Sequence, residues 1–374
     1  MAIELEQFLK IKIMITQYDI EYLLIFVILG ILFLKGLKPN IGGQFRPFVI
    51  DKTMSQALKG IACVFILMGH WGQRKFDMDM PWGISKVVWQ TTATTALVWF
   101  MFFSGYGMSL KRIKQGDYLS SWWKSMKKIF IPCLLTCFVF LLVCSILPNS
   151  YTYEEAKSLW LPKEIHLIHN LNIEACKTLA WSLMGNRDWY VCCILMFYTI
   201  YYVITYLSDK FQKNQTILLS IAFVIYWFWA YWYFGVEQGH YFRFVWTFMF
   251  GHAVAKRTKI SWIMTAILMI PIILESKVVM LDFTIGIAVL YLLSFINSRY
   301  EMKGKAVLFM GTISYFFYLA HVRLGYTLLT YTGINSIFFW IAITTIISYL
   351  LYKLNSKIKY DNIKKRIKVL SQGR

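Results

Sequence analysis

The amino-acid sequence predicts an all-α, polytopic membrane helix bundle of about eleven transmembrane helices. Of its 374 residues, 58% are hydrophobic and only 16% are charged, whereas soluble domains average about 45–50% apolar and about 25% charged residues. The sequence also contains eleven apolar runs of a length suited to a bilayer. Basic loops alternate along the chain with acidic or mixed loops, which is the pattern of a membrane protein with several crossings.

The candidate spans are apolar runs close to the length of about 20 residues that crosses the hydrocarbon core. They lie at residues 20–38, 54–73, 87–109, 129–147, 189–207, 216–235, 241–255, 261–275, 278–297, 306–329 and 335–354. The seventh and eighth runs are short, which predicts tilted or broken helices.

The loop charges predict which side of the membrane each loop faces. Basic residues occupy every second loop and the tail: Lys35, Lys38 and Arg46; Lys111, Arg112 and Lys114; Lys210 and Lys213; Lys256, Arg257 and Lys259; Arg299, Lys303 and Lys305; Lys364, Lys365 and Arg366. The positive-inside rule therefore places the N-terminus outside and the C-terminus in the cytoplasm. Because the same rule accounts for the net charge of +20, we predict no nucleic-acid partner.

The chain divides by composition into three predicted segments. Residues 1–52 form an N-terminal helix and a cytoplasmic linker, residues 53–356 form the membrane domain, and residues 357–374 form a basic cytoplasmic tail. The loop at 148–188 is the only long extracytoplasmic segment, and its Trp and Leu content predicts an ordered cap. The seven cysteines lie mostly in apolar runs without zinc-ligand spacing, so we predict neither a disulfide framework nor a metal site.

His70 is the first candidate for chemistry, because it lies in the strongly apolar run 61–71. An ionisable group at that depth is costly and indicates a functional site. Lys59 precedes it by three helical turns, so both side chains lie on one face about 16 Å apart. Acyl-coenzyme A, with phosphates at one end and a thioester at the other, has the shape to contact both. A packing histidine and a snorkelling lysine would give the same pattern.

Three lysines, Lys124, Lys127 and Lys128, enter the fourth span from the predicted cytoplasmic side. Their helical spacing allows them to converge on a phosphate. The positive-inside rule alone would also place basic residues there, so both interpretations stay open.

Polar residues recur at two further spans. Ser104 and Tyr106 belong to a run with small residues, which let helix backbones approach closely. Ser314, Tyr318 and His321 share one face of the tenth span. That face serves either interhelical hydrogen bonding or a polar site inside the bundle.

Asp188 and Tyr190 open the fifth span from the predicted outer side, directly after Arg187. Arg187 and Asp188 can pair as ordinary interfacial charges. This segment therefore carries a weaker functional signal than His70.

Five of these segments resemble, in chain order, the motifs of the acyltransferase-3 family of integral membrane proteins. They are Lys59-Gly60 through Gly69-His70, similar to the family's Arg/Lys-x10-His motif; Phe103-Ser104-Gly105-Tyr106, similar to Phe-x-Ser-Gly-Phe/Tyr; the basic run ending at Pro132; the Trp-Ser-Leu block from Trp181 through Tyr190; and Gly311 through His321. The resemblance covers roughly residues 53–330. The family usually has ten helices, so the first span resembles an addition to a ten-helix core.

The resemblance implies acyl transfer, mostly of acetyl groups, from cytoplasmic acyl-coenzyme A to sugars of surface polysaccharides, peptidoglycan or related acceptors. It implies that His70 is the catalytic histidine, as general base or transient acyl carrier, and that Lys59 and the lysines at 124–128 bind the donor. The sequence departs from the family in using lysine where arginine is common, because lysine cannot make a planar two-pronged phosphate contact. It also has Asn186 and Arg187 where glutamates usually follow the Trp-Ser-Leu block.

We therefore predict an O-acetyltransferase of the inner (plasma) membrane. Its donor is acyl-CoA, in the first place acetyl-CoA, and no metal takes part. Its acceptor is a sugar or glycan that enters from outside beneath the 148–188 loop, where Trp160, Trp181 and Trp189 offer stacking surfaces.

Two alternatives to the transferase stay open. One is a transporter or flippase for a polysaccharide or lipid-linked sugar, although the sequence lacks the internal repeats common in transporters. The other is a non-catalytic assembly partner.

Overall fold

The computed structural model describes residues 17–76, 84–111, 113–148, 163–183, 188–275 and 277–358, and most of these residues are helical. The described elements comprise fourteen α-helices, two short strands, a 3-10 helix and a π-helical segment. They are α1 (Gln17–Gly36), β1 (Leu37–Pro39), α2 (Lys52–Phe76), α3 (Ile84–Leu110), α4 (Tyr118–Ile146), α5 (Glu164–His169), α6 (Ile173–Leu183), α7 (Trp189–Phe211), α8 (Gln215–Phe234), the 3-10 helix (Val236–Tyr241), α9 (Val245–Lys256), α10 (Lys259–Glu275), α11 (Lys277–Arg299), β2 (Tyr300–Met302), α12 (Lys305–Ala320), the π-helix (His321–Tyr326), α13 (Thr327–Thr332) and α14 (Ile337–Lys357).

Helices coincide with all eleven apolar segments that the sequence singled out. Within the described residues, six helical segments are long and apolar enough to cross a membrane: Thr91–Leu110, Tyr118–Ile146, Trp189–Phe211, Gln215–Phe234, Lys305–Thr332 and Ile337–Lys357. The prediction of an all-α membrane protein is therefore confirmed. The count of eleven crossings and the side of each terminus stay predictions.

The chain forms two compact units, a division that the sequence pattern did not predict. The first unit consists of residues 1–129 and 186–314, and the second consists of residues 130–185 and 315–374. The three predicted segments stay predictions, and the tail from residue 359 onward lies outside the described residues, as do residues 1–16.

The first unit is built on very close approaches between helix backbones at glycines. A Cβ added to Gly105 of α3 would lie well under 3 Å from the backbone of Phe248 in α9, and one added to Gly251 would collide with the backbone of Phe102. Gly60 of α2 and Gly311 of α12 form a second approach of this kind. Small residues permit such contacts, and in lipid the resulting van der Waals packing is a main source of helix association.

Segments predicted to lie on one side of the membrane contact each other in the first unit. Strand β1 pairs antiparallel with β2, with Lys38 opposite Glu301. Beside it, Asp51 accepts hydrogen bonds from the Met54 N–H at 2.7 Å and from the Asn297 side chain at 2.8 Å. Asp51 thereby begins α2 and ties it to the end of α11. The side of the membrane on which these segments lie stays a prediction.

The second unit has its own apolar core. Its buried members come from α4, α5, α12, the π-helix and α14: Phe140, Cys144, Ile165, Phe316, Ala320, Leu324 and Leu351. Two short helices, α5 and α6, occupy part of the 148–188 loop, in which the sequence predicted an ordered cap. Residues 149–162 and 184–187 of that loop, which include Trp160 and Arg187, lie outside the described residues.

We predict that Gly105→Ala destabilises the protein by about 1–3 kcal/mol, because the added methyl group overpacks the contact with Phe248. Gly107→Ala is the matched control, since a Cβ there meets no atom within 4 Å. Replacing this open helical glycine should be neutral or stabilising by up to about 1 kcal/mol. Thermal unfolding in detergent measures both, and equal melting temperatures would contradict the proposed packing role.

We also predict a pH-dependent contribution of Asp51 to stability. Burial raises the pKa of this carboxyl, but hydrogen bonds from Asn297, Met54 and Thr53 outweigh that effect and hold the pKa below its ordinary value. The stabilisation is therefore complete above the unfolded pKa of about 3.9 and is lost as the pH falls through the lower folded pKa. Asp51→Ala should lower the melting temperature at pH 6, and the difference from wild type should shrink at the most acidic pH that the wild type tolerates.

Candidate active site

Helix α2 presents the two residues on which the sequence prediction depends. It runs without interruption from Lys52 to Phe76, so Lys59 and His70 lie on one face about 16 Å apart along the axis. Both residues are half-buried. Between them, the fully buried Cys63 donates its thiol hydrogen to the backbone carbonyl of Ser314, at a sulfur–oxygen distance of 2.9 Å.

Helices α3 and α12 pack beside the amine end of this face. The Nζ atom of Lys59 lies 5.6 Å from the centroid of the Phe103 ring, a cation–π contact. The next residue of α2, Gly60, lies against the backbone of Gly311. The structure thus brings three of the five motif segments together within the first unit.

Ser104 is the centre of a cluster of hydroxyl groups. Its own hydroxyl donates to the carbonyl of Phe100 at 2.8 Å, and the hydroxyls of Tyr190 and Tyr198 on α7 lie close to it. A serine hydroxyl has one proton and two acceptor sites, so it has the capacity to interact with both tyrosines. The structure therefore places Ser104 near Tyr190, another predicted supporting residue, and near Tyr198.

Three other predicted residues of the first unit lie outside this hydroxyl cluster. Tyr106 is half-buried and stacks on Phe102, with ring centroids 5.9 Å apart. Asp188 is half-buried at the start of α7, two residues before Tyr190. Ser314 is buried, and its hydroxyl donates to the Gly311 carbonyl at 2.9 Å.

The three lysines of the predicted phosphate cluster lie at the start of α4. Lys124 and Lys128 are exposed, whereas Lys127 is half-buried with its amine 5.1 Å from the Trp123 ring centroid. Each lysine therefore has a side chain at or near the protein surface. Their role in donor binding stays a prediction.

Tyr318 and His321 belong to the second unit, where α12 gives way to the π-helix. The Nδ1 atom of the buried His321 lies 2.5 Å from the backbone oxygen of Tyr318. Trp340 of α14 donates its indole N–H to the backbone carbonyl of His321 at 2.7 Å and stacks on its ring. This histidine is held firmly by its surroundings, and π-helical segments often mark functional sites.

The family model of the acyltransferase domain matches residues 55–353 of the 374 residues. The chain belongs to the acyltransferase-3 family. No curated protein and no solved structure matched the chain. Together with the six helices among the described residues that are able to span a bilayer, the match makes the protein a multi-pass membrane acyltransferase.

The second unit of this acyltransferase buries two charged residues that the sequence reading did not single out. Arg323 of the π-helix donates to the sulfur of Cys137, and Glu164 of α5 accepts a hydrogen bond from Ser182 at 2.6 Å. The sequence alone could have indicated Arg323, because a charged residue inside an apolar run such as 306–329 indicates a functional site. Ser182 belongs to the Trp-Ser-Leu block. The adjoining Trp181 lies in α6, and its side chain is outside the described part of the chain.

Two further polar clusters of the acyltransferase lie in the first unit and were also missed. The Lys111 amine contacts the hydroxyls of Ser125 at 3.0 Å and Tyr202 at 2.5 Å. In the second cluster, both ring nitrogens of the fully buried His252 are hydrogen-bonded, Nδ1 to Ser109 at 2.7 Å and Nε2 to Thr216 at 3.0 Å. With both nitrogens satisfied, His252 serves as a hydrogen-bonded link between α3, α8 and α9.

We predict that Ser104→Ala lowers the stability of the folded protein by about 1 kcal/mol. The substitution removes a hydroxyl that lies close to two tyrosine hydroxyls, and an interhelical hydrogen bond in membrane proteins contributes about 0.6 kcal/mol on average. Ser145→Ala is the control, because the exposed Ser145 bonds only to its own helix at Leu142 and should change stability by less than about 0.5 kcal/mol. Thermal unfolding in detergent compares the two, and an equal effect would argue against the hydroxyl cluster.

Proposed function

We propose that the protein transfers an acyl group, acetyl in the simplest case, from cytoplasmic acyl-CoA to a hydroxyl of an extracytoplasmic or lipid-linked sugar. The observation that carries the proposal is the single helix face of α2 with Lys59 and His70 about 16 Å apart. A donor that is anionic at one end and reactive at the other suits these two groups. Such a face allows one elongated molecule to contact both.

The surroundings of Lys59 support a role in binding an anion. Its amine lies beside the Phe103 ring, and within the described residues it has no acidic side chain at salt-bridge distance. A half-buried positive charge without a carboxylate partner favours a negative ligand group, because the ligand supplies the missing charge. In the proposed complex, this ligand group is a phosphate of acyl-CoA.

His70 is proposed to act as the general base. Its imidazole takes the proton from the acceptor hydroxyl while the hydroxyl oxygen attacks the thioester carbonyl carbon. The tetrahedral intermediate collapses, the carbon–sulfur bond breaks, and the coenzyme A thiolate leaves. The imidazolium then gives its proton to this thiolate, so the products are the sugar ester and free coenzyme A. Histidine suits the task because its ordinary pKa of about 6.5 lies near the working pH.

The acceptor side of the proposal draws on aromatic side chains at the start of α7. Trp189 is half-buried and packs against Phe244 and His240, with ring centroids 5.7 Å and 4.9 Å away. An indole held in this way offers a flat apolar surface of the kind on which sugar rings stack. Membrane proteins also place Trp at the membrane–water interface, so the acceptor is to be identified by the transfer experiment below.

We predict that His70→Ala lowers the rate of acyl transfer by at least about 100-fold, because general-base catalysis contributes about 10²–10⁴-fold. Purified protein in detergent is incubated with radiolabelled acetyl-CoA and envelope glycans, and labelled ester is counted. The variant should keep the melting temperature of the wild type to within a few degrees. Undiminished transfer by a folded His70→Ala variant would exclude the proposed mechanism.

Lys59→Gln distinguishes donor binding from general loss of structure. It should raise the KM for acyl-CoA by about 10- to 100-fold, the loss expected for a charge-assisted hydrogen bond, with a smaller change in kcat. Lys353→Gln is its control, because Lys353 is exposed at the end of α14. Equal KM values for both variants would remove Lys59 from the donor site.

A further inference from the structure

A groove of about 650 Å³ lies between α4 and α7 in the first unit. Its walls come from the first turns of α4 and the last three turns of α7, and the turn at Gln115 and Gly116 closes one end. We call it the lateral groove. Its lining residues are Gln115, Gly116, Tyr118, Leu119, Trp122, Thr199, Tyr202, Val203, Tyr206, Asp209 and Lys210.

The lateral groove is amphipathic along its length. Polar groups line the end at Gln115, Asp209 and Lys210, whereas Leu119, Trp122 and Val203 line the remainder. From Lys210 to Thr199 the groove follows α7 for eleven residues, or about 16 Å. That length is close to half of the roughly 30 Å hydrocarbon core of a bilayer, so it suits a molecule confined to one leaflet.

Hydrogen bonds hold the two walls of the lateral groove at both ends. Tyr118 donates its hydroxyl hydrogen to the carboxylate of Asp209 at the polar end. Trp122 donates its indole N–H to the Thr199 hydroxyl at 3.1 Å at the apolar end. The groove is therefore a fixed feature of the α4–α7 pair.

The lateral groove opens toward the surface that these membrane-spanning helices present to lipid. Leu119, Val203 and Tyr206 line it and are 74%, 50% and 43% exposed. Large apolar side chains exposed on helices able to span a bilayer face hydrocarbon. A lipid can therefore enter the groove sideways without crossing water.

The lysines of the predicted phosphate cluster point away from this groove. Lys124 and Lys128 follow Trp122 by two and six residues, which places them about 160° and 120° around α4 from it. The groove is thus separate from the predicted cluster, and it is lined by neither Lys59 nor His70.

We propose that the lateral groove binds one anionic glycerophospholipid from the leaflet at this end of the helices. An acyl chain lies along the apolar wall, and the phosphate lies at the polar end. Charge complementarity selects the headgroup. Lys210 lines this end, and the Lys111 amine contacts the hydroxyl of Tyr202, another lining residue. Lys114 and Lys213 lie within three residues of lining residues along the chain, against Asp117 and Asp209, and Asp209 already accepts a hydrogen bond from Tyr118. Basic residues near the membrane surface attract anionic headgroups.

Native mass spectrometry of the purified full-length protein tests the proposal. The protein in detergent is titrated with phosphatidylglycerol or phosphatidylcholine of identical chains, and bound lipids are counted. We expect one molecule of phosphatidylglycerol to bind per protein, and to bind more tightly than phosphatidylcholine does. Val203→Trp fills the groove and should abolish that site, whereas Ile225→Trp, at a 64% exposed position of α8, should retain it. Lys210→Gln should weaken phosphatidylglycerol about fivefold and leave phosphatidylcholine unchanged.

Unchanged phosphatidylglycerol binding in both Val203→Trp and Lys210→Gln would overturn the proposal. Displacement of the lipid by acetyl-CoA would also overturn it, because the groove would then belong to the donor. Melting temperatures of each variant exclude unfolding as the cause of lost binding. The measurement needs no catalysis, so it separates this proposal from the proposed function, which depends on His70.

Discussion

In the first unit, the backbones of α3 and α9 touch where Gly105 meets Phe248 and Gly251 meets Phe102. Lipid tails are as apolar as leucine, so helices in a membrane gain little from burying hydrophobic side chains against each other. Close packing at small residues replaces that driving force. The position of α3 set by this contact also fixes Phe103 beside Lys59 and Ser104 beside α7. The close contact at Gly105 and Gly251 thus helps to set the geometry of the candidate active site.

Hydrogen bonding among hydroxyls is the second constraint on the same unit. A polar group left unpaired in hydrocarbon costs several kcal/mol, and the first unit meets this cost by sharing partners. The Ser104 hydroxyl lies close to those of two tyrosines, and both ring nitrogens of His252 are hydrogen-bonded, one to Ser109 and the other to Thr216. These groups therefore have structural roles. The amine of Lys59 has an aromatic ring as its neighbour instead of a carboxylate, which is why it suits a charged ligand.

The first turns of α4 face two different surroundings. One side carries Lys124 and Lys128 at the surface, and the other side carries Tyr118 and Trp122 in the wall of the lateral groove. The sequence pattern of this stretch suggested only the basic side, because lysines stand out in an apolar run. The aromatic side becomes visible only with α7 in place.

The sequence by itself determined the helical segments, the membrane class and the family, because length, hydrophobicity and motif order are local properties of the chain. It also determined that Lys59 and His70 share a face, since both lie on one helix. Only the tertiary structure decided that Phe103 contacts Lys59, that Tyr198 lies near Ser104, and that Gly60 faces Gly311. These pairs are far apart in sequence, and their contact depends on how helices cross, which no single segment encodes. For the same reason, the lateral groove between α4 and α7 could not be read from either helix alone.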